Sequence, residues 1–167
     1  GDGLMNPERR ERTLAAMRAA GVDLMLVTPG ADMFYLTGFT HGHANRRLLA
    51  FALRADGSSH WISPSMNVAQ IREVVGPNAA LRSWDDGEGY LPALREAVDG
   101  SRVIAFDEEA RAAFLMDLLS VAPQATVGRA SGITEGLRIR KGADELTLLR
   151  KAAATVDETI AEAIGLC

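Results

Sequence analysis

Two short apolar runs limit what this chain can become. Val22 to Thr28 (VDLMLVT) is closed by Pro29-Gly30, and Arg102 to Phe106 (RVIAF) leads into Asp107. Both runs have strand length and neither alternates regularly between polar and apolar residues. A strand reads this way when helices cover both faces of its sheet. The rest of the chain must then supply helices for two layers.

It has them. Asn6 can cap a helix with Pro7 at its first position, where the missing N–H has no partner to lose. Leu14, Met17 and Ala20 recur at helical spacing, and Gly21 is suited to end the helix. Arg47 to Leu53 and Ser59 to Ile62 flank Ala55-Asp56-Gly57-Ser58, whose Asp-Gly pair marks a tight hairpin turn. Helical patterns follow at Met66 to Val75, Tyr90 to Val98, Ala110 to Leu119 and Ser131 to Arg138. Strand patterns lie between them at Ala80 to Trp84 and, more weakly, Ala125 to Val127. The predicted fold class is α/β, with a mixed sheet of about six strands, helices on both faces and a C-terminal connector helix.

That last helix, Ala143 to Ile164, carries Leu146, Leu149, Ala153, Val156, Ile160 and Ala163 along one stripe. The helices before it suffice for the sheet, so a neighbouring domain or subunit is expected to cover the stripe. The chain of 167 residues accordingly divides into three parts. Residues 1–5 read as an expression remnant and start, with Met5 as the natural first residue. Residues 6–136 form the folded domain, and 137–167 a junction leading into something larger.

Composition excludes several classes. A formal charge of −4 gives no electrostatic reason to expect nucleic acid or an anionic membrane surface. The sole cysteine, Cys167, rules out an intrachain disulfide and suits a reducing, cytoplasmic compartment. No apolar run reaches bilayer length, and no signal-peptide pattern precedes Asn6.

The segments that could carry chemistry are few. Tyr35-Leu36-Thr37-Gly38-Phe39 reads as a packed turn, with Asp32 able to cap it through Tyr35. The polar stretch Thr40 to Arg47 holds His41 and His43 beside Arg46 and Arg47. Three readings fit it. It can be a solvated loop, a two-histidine metal site that lacks nearby carboxylates or thiolates, or a cationic loop holding a ligand carboxylate. Asp85-Asp86-Gly87-Glu88 reads as a solvated turn capping the helix from Gly89, and Asp107 as a helix N-cap. The sequence has no phosphate loop, no His-Glu-x-x-His pair and no Gly-x-Ser-x-Gly elbow. It therefore offers no self-sufficient catalytic set and no metal-ligand set.

Three features taken together resemble one known family. They are the opening helix with Arg9, Arg12, Leu14 and Met17 leading to Gly21-Val22-Asp23, the Tyr35–Phe39 segment, and Leu137-Arg138-Ile139-Arg140-Lys141 followed by Glu145-Leu146. In order and spacing they resemble the amino-terminal domain of the creatinase/prolidase family, the Xaa-Pro dipeptidases and aminopeptidases. The match runs over nearly the whole chain from Asn6. Gly142 departs from it, because the family commonly has serine or threonine there as a cap; glycine is a tolerated one.

The resemblance implies a second, carboxy-terminal domain in which aspartate, histidine and glutamate ligands hold two divalent ions (manganese, cobalt or zinc). None of those ligands maps onto this chain, which is expected to bind no cofactor itself. In dimeric members the amino-terminal domain packs over the neighbour's active site, and the loop after the Tyr35–Phe39 segment helps to close it. Phe39, His41, His43 and Arg46 are thereby the candidates for substrate contact. The function implied is that of a non-catalytic domain of a metal-dependent Xaa-Pro peptidase, a hydrolase, contributing dimerisation and an active-site lid. Its implied partners are the catalytic domain of its own chain, that of a neighbouring subunit in a homodimer, and a proline-containing peptide. Two alternatives stand beside it. One is a protein-interaction module of the same fold without peptidase activity. The other is a flavodoxin-like nucleotide binder, which needs phosphate-cradling glycines that Thr28 to Asp32 lack.

Overall fold

The structure, a computed structural model, describes residues 7–40 and 47–165. The chain divides into two compact units, Gly1–Leu137 and Arg138–Cys167. The first contains α1 (Pro7–Ala19), β1 (Leu24–Val27), α2 (Ala31–Thr37), β2 (Ala50–Arg54), β3 (Ser59–Pro64), α3 (Val68–Val75) and β4 (Leu81–Trp84). It continues with α4 (Leu91–Val98), β5 (Val103–Phe106), α5 (Ala112–Val121) and β6 (Thr126–Arg129), and α6 (Ser131–Arg138) ends at the boundary. The six strands form one sheet in the order β4-β3-β2-β1-β5-β6. The β1–β2 and β2–β3 pairs are antiparallel; β1–β5, β3–β4 and β5–β6 are parallel. The mixed sheet with helices matches the fold predicted from the alternation of patterns.

Strand periodicity decides which helices lie where. Successive side chains on a strand point to opposite faces. Met25 and Val27 of β1, Phe51 and Leu53 of β2 and Ala105 of β5 join one core with Leu14 and Met17 of α1, Leu36 of α2, Ile71 of α3 and Ile133 of α6. Leu24 and Leu26, Ala50 and Ala52, and Ile104 and Phe106 join the other, with Leu94 of α4 and Phe114 and Leu118 of α5. The continuous apolar character of β1 follows from having a helical layer on each side.

Element ends follow local chemistry. Gly21, at φ 65°, ends α1 in the left-handed conformation. The Gly21 N–H bonds to the Arg18 carbonyl at 3.1 Å and the Val22 N–H to the Met17 carbonyl at 2.9 Å. This is the paired C-terminal closure that glycine permits, and Met17 and Val22 pack in the same core. The cap expected at Asn6 lies outside the described residues. β2 begins at Ala50 rather than Arg47, because its ladder with β3 opens at Ala50 opposite Ile62. Pro64 is tolerated in β3 because the β2 ladder has already stopped opposite Ile62. The helix expected from Met66 divides into a tight turn, Ser65–Asn67, and α3.

The second unit carries α7 (Ala143–Gly165). Glu145 accepts the N–H of Gly142 at 2.8 Å, so the side chain closes the helix start where glycine offers none. No residue of α7 is buried. No helix among the described residues is long and apolar enough to cross a membrane.

Candidate functional site

The Tyr35–Phe39 segment is the end of α2 and the turn beyond it. Gly38 takes φ 73°, and its N–H bonds to the Phe34 carbonyl at 2.8 Å. A residue with a side chain is disfavoured there, so the turn selects glycine. The Thr37 hydroxyl donates to the Met33 carbonyl at 2.7 Å and accepts the Phe39 N–H at 3.1 Å. Arg9 lies 4.7 Å from the centre of the Tyr35 ring and donates to the Tyr35 carbonyl at 3.4 Å. Phe39 is 1 % exposed, its ring meeting Trp61 edge-on with centroids 5.4 Å apart. Phe39 therefore roots the loop that follows it in the core. His41, His43 and Arg46 lie outside the described residues.

Asp32 does not cap this helix through Tyr35. The helix has already begun at Ala31, and the Asp32 carboxylate accepts the Thr134 hydroxyl of α6 at 2.7 Å. The first turn of α2 is thereby joined to α6, another helix packed in the same core.

Where the chain returns after residue 46, it is held again. Arg47 pairs with Asp86 and donates to the Met66 sulfur at 3.0 Å. The carbonyl of Leu48 accepts the Trp84 indole N–H at 2.9 Å. The acidic turn Asp85–Glu88 thus has a different task from the capping expected of it. α4 starts at Leu91 without a side-chain cap, while Asp86 engages Arg47 and Glu88 engages Arg82 at 2.8 Å. These pairs are exposed, so they fix geometry more than they stabilise. Trp61 and Trp84 frame the site without having been singled out in the sequence, and Arg47, named there as one of the stretch's two arginines, anchors the chain where it returns. The pairing of Trp61 with Phe51 across the hairpin was the available signal. The Trp61 indole N–H has no hydrogen-bond partner among the described residues.

Asp107 is likewise not a helix cap. It is buried, and one carboxylate oxygen accepts the N–H and hydroxyl of Thr28 at 3.0 and 2.6 Å. The other accepts the Glu109 N–H at 3.0 Å. α5 starts further on, at Ala112, with Arg111 before it. Asp107 therefore ties together the ends of the adjacent parallel strands β1 and β5. Its neighbour Glu108 is partly desolvated, which opposes ionisation. The Ser131 contact and the Arg129 charge outweigh that and lower its pKa. Among the described residues no group of three or more His, Cys, Asp or Glu side chains could hold a metal ion.

Residues 9–140 match the family model described as Creatinase/Prolidase N-terminal domain. The "Probable dipeptidase PepE" of Mycobacterium tuberculosis is 29% identical over 149 residues, which is 86% of this chain and 38% of that protein. The crystal structure of dipeptidase PepE from Mycobacterium ulcerans superposes with a TM-score of 0.82 at 27% identity, covering 93% of this chain and 42% of that one. Recombinant prolidase from Thermococcus sibiricus gives a TM-score of 0.84 at 23% identity over 96% of this chain and 44% of that one, a likeness of fold. The chain spans 38% of the curated relatives it matches.

Proposed function

The chain belongs to the creatinase/prolidase N-terminal domain family, and we propose that it is the non-catalytic N-terminal domain of a metal-dependent Xaa-Pro peptidase. The observation that carries this reading is the family match over residues 9–140, from the first helix into the junction. The dipeptidase named among the relatives supports a dipeptide as the substrate, and the preference for proline rests on the likeness to the prolidase family. The two divalent ions belong in this proposal to another part of a longer protein, as do the residues that bind them.

The role of this chain is to complete and cover that site, within its own subunit or a neighbouring one in a homodimer. Its loop at 40–46 leaves from Phe39, held in the core, and returns at Arg47, held by Asp86. His41, His43 and Arg46 would hold the carboxylate of a dipeptide, which rejects longer chains. With a single cysteine, the expected compartment is the cytoplasm.

Two measurements test this. The 167-residue chain given manganese, cobalt or zinc and an Xaa-Pro dipeptide should show no turnover. In the longer protein, Arg46→Ala should raise KM about 10-fold with kcat little changed, the loss of roughly 1.4 kcal/mol of ground-state binding. Turnover by the chain alone overturns the non-catalytic role. An unchanged KM for R46A, H41A and H43A overturns the substrate loop.

A further inference from the structure

The first unit has a cavity of about 380 Å³ beside the C-terminal ends of α4 and α5 and the residues leading into β5. Its wall is apolar at Val98, Val121 and Ala122. Two arginines, Arg95 and Arg102, also line it, and Asp99 is the one acidic residue that does. We propose that this cavity binds a small carboxylate carried on a compact apolar body, a site independent of the peptidase reading.

The competing explanation for arginines near helix C-termini is that they neutralise unpaired carbonyls. Here another residue does that. Arg54 reaches across from β2 and donates to the carbonyls of Ala97 and Asp99, both at 2.8 Å, and to the Ser101 hydroxyl at 3.3 Å. Neighbouring carbonyls are also taken. Val98 accepts from Ser101 N–H at 3.0 Å, Ala122 from Ala125 N–H at 3.0 Å, and Arg102 from Thr126 N–H at 2.7 Å. Asp23 feels the charge of Arg102, but one of its carboxylate oxygens accepts the Arg102 and Val103 backbone N–H groups, each at 2.9 Å. Among the described residues neither the Arg95 nor the Arg102 guanidinium makes a hydrogen bond or close ion pair. Two cations against one acid leave the lining with a surplus positive charge.

The chemistry of the occupant follows from that pairing of features. A guanidinium presents paired donors that match a carboxylate. The apolar part of the lining is small, chiefly Val121 beside the edges of Val98 and Ala122, and it favours a compact apolar group, which a bare inorganic anion lacks. The volume lies near the small end of ligand-pocket sizes, enough for one ring or a short branched chain.

The test is an amide NMR titration of the 167-residue chain with benzoate. Benzamide serves as the neutral isostere and inorganic phosphate as the anion without an apolar body. Benzoate should shift the Gly100, Ser101 and Ala122 amides saturably, and roughly 10-fold more tightly than either control. The double variant R95Q/R102Q should lose that binding while its other amide positions stay in place. Val121→Glu, which puts a carboxylate at the wall, should lose it too. The proposal is overturned by no saturable shift up to about 20 mM benzoate, a weaker limit than millimolar affinity. It is overturned equally by benzamide or phosphate binding as tightly as benzoate, or by unchanged binding in either variant.

Discussion

β1 and α7 are both rich in apolar residues, and they meet opposite fates. All four residues of β1, Leu24–Val27, are 0 % exposed. Among the 23 residues of α7 none is buried, and Leu148 and Ile164 are 67 % and 71 % exposed. Apolar character states that a face gains from burial; it does not supply the cover. β1 has its cover within the same unit, because its alternate side chains meet two different helical layers. α7 satisfies its own backbone as any helix does, and hydroxyls of Thr147, Thr155 and Thr159 bond back to carbonyls four residues earlier. The interior of a helix needs no partner for its backbone, whereas an apolar stripe does.

The contrast is broken most directly at Phe39. A residue adjoining a polar loop would ordinarily be cheap to truncate. Here the ring is buried against Trp61, so Phe39→Ala should cost about 3–5 kcal/mol in urea unfolding, as large-to-small core changes do. A loss below about 1 kcal/mol would mean that the loop's root is not part of the core, and the division between the two regions would fail.

Electrostatics sharpens the contrast by a smaller amount, and its sign can be worked out. Backbone N–H groups of Val103 and Arg102 lower the pKa of Asp23 below its ordinary 3.8. Ser58 donors act likewise on Asp56. A lowered carboxylate pKa means that the unfolded chain binds the proton more readily. The stability these groups contribute is thus present above pH 3.8 and lost as pH falls through their folded values. His60 extends the window upward. Burial, aided by the Arg54 charge, lowers its pKa below 6.5, so its contribution also falls away on acidification, starting near that value. Urea midpoints should accordingly decline from pH 6.5 downward. His60→Gln should flatten the upper part of the decline and Asp23→Asn the part below 3.8. All these groups belong to the first unit. An acid decline that persists unchanged in both variants would place its origin elsewhere.

Much of the first unit is legible in its sequence because its cues are local. Gly21 and Gly38 sit at helix ends that need a positive φ, and the Asp56-Gly57 turn joins β2 to β3. The roles misread were those whose partners are distant. Asp107 looks like a cap to its own neighbours, yet it bonds Thr28, 79 positions away. Asp32 looks like a cap as well, and its partner Thr134 is 102 positions away. Asp86 likewise meets Arg47 across 39 positions. A short acidic side chain next to a helix start has the same local signature whether it caps the helix or crosses the fold. Only the tertiary arrangement separates the two. For the candidate loop, the sequence offers His41, His43 and Arg46 as candidates for meeting a carboxylate, while the held ends at Phe39 and Arg47 emerge from packing.

The smallest expected effect is the most discriminating. Leu149→Ala and Ile160→Ala, made together on the α7 stripe, should change the urea midpoint of this chain by an amount equivalent to less than about 0.5 kcal/mol, since both side chains are already exposed. Helix content measured by circular dichroism should hold or rise slightly, because alanine favours helix more than either residue it replaces. In the longer protein proposed above the same pair should cost several kcal/mol, roughly the sum expected for two buried truncations. The ratio between the two measurements reports whether the stripe acquires a partner there. A large loss in the 167-residue chain itself would show that α7 is already covered, and β1 and α7 would then no longer differ in kind.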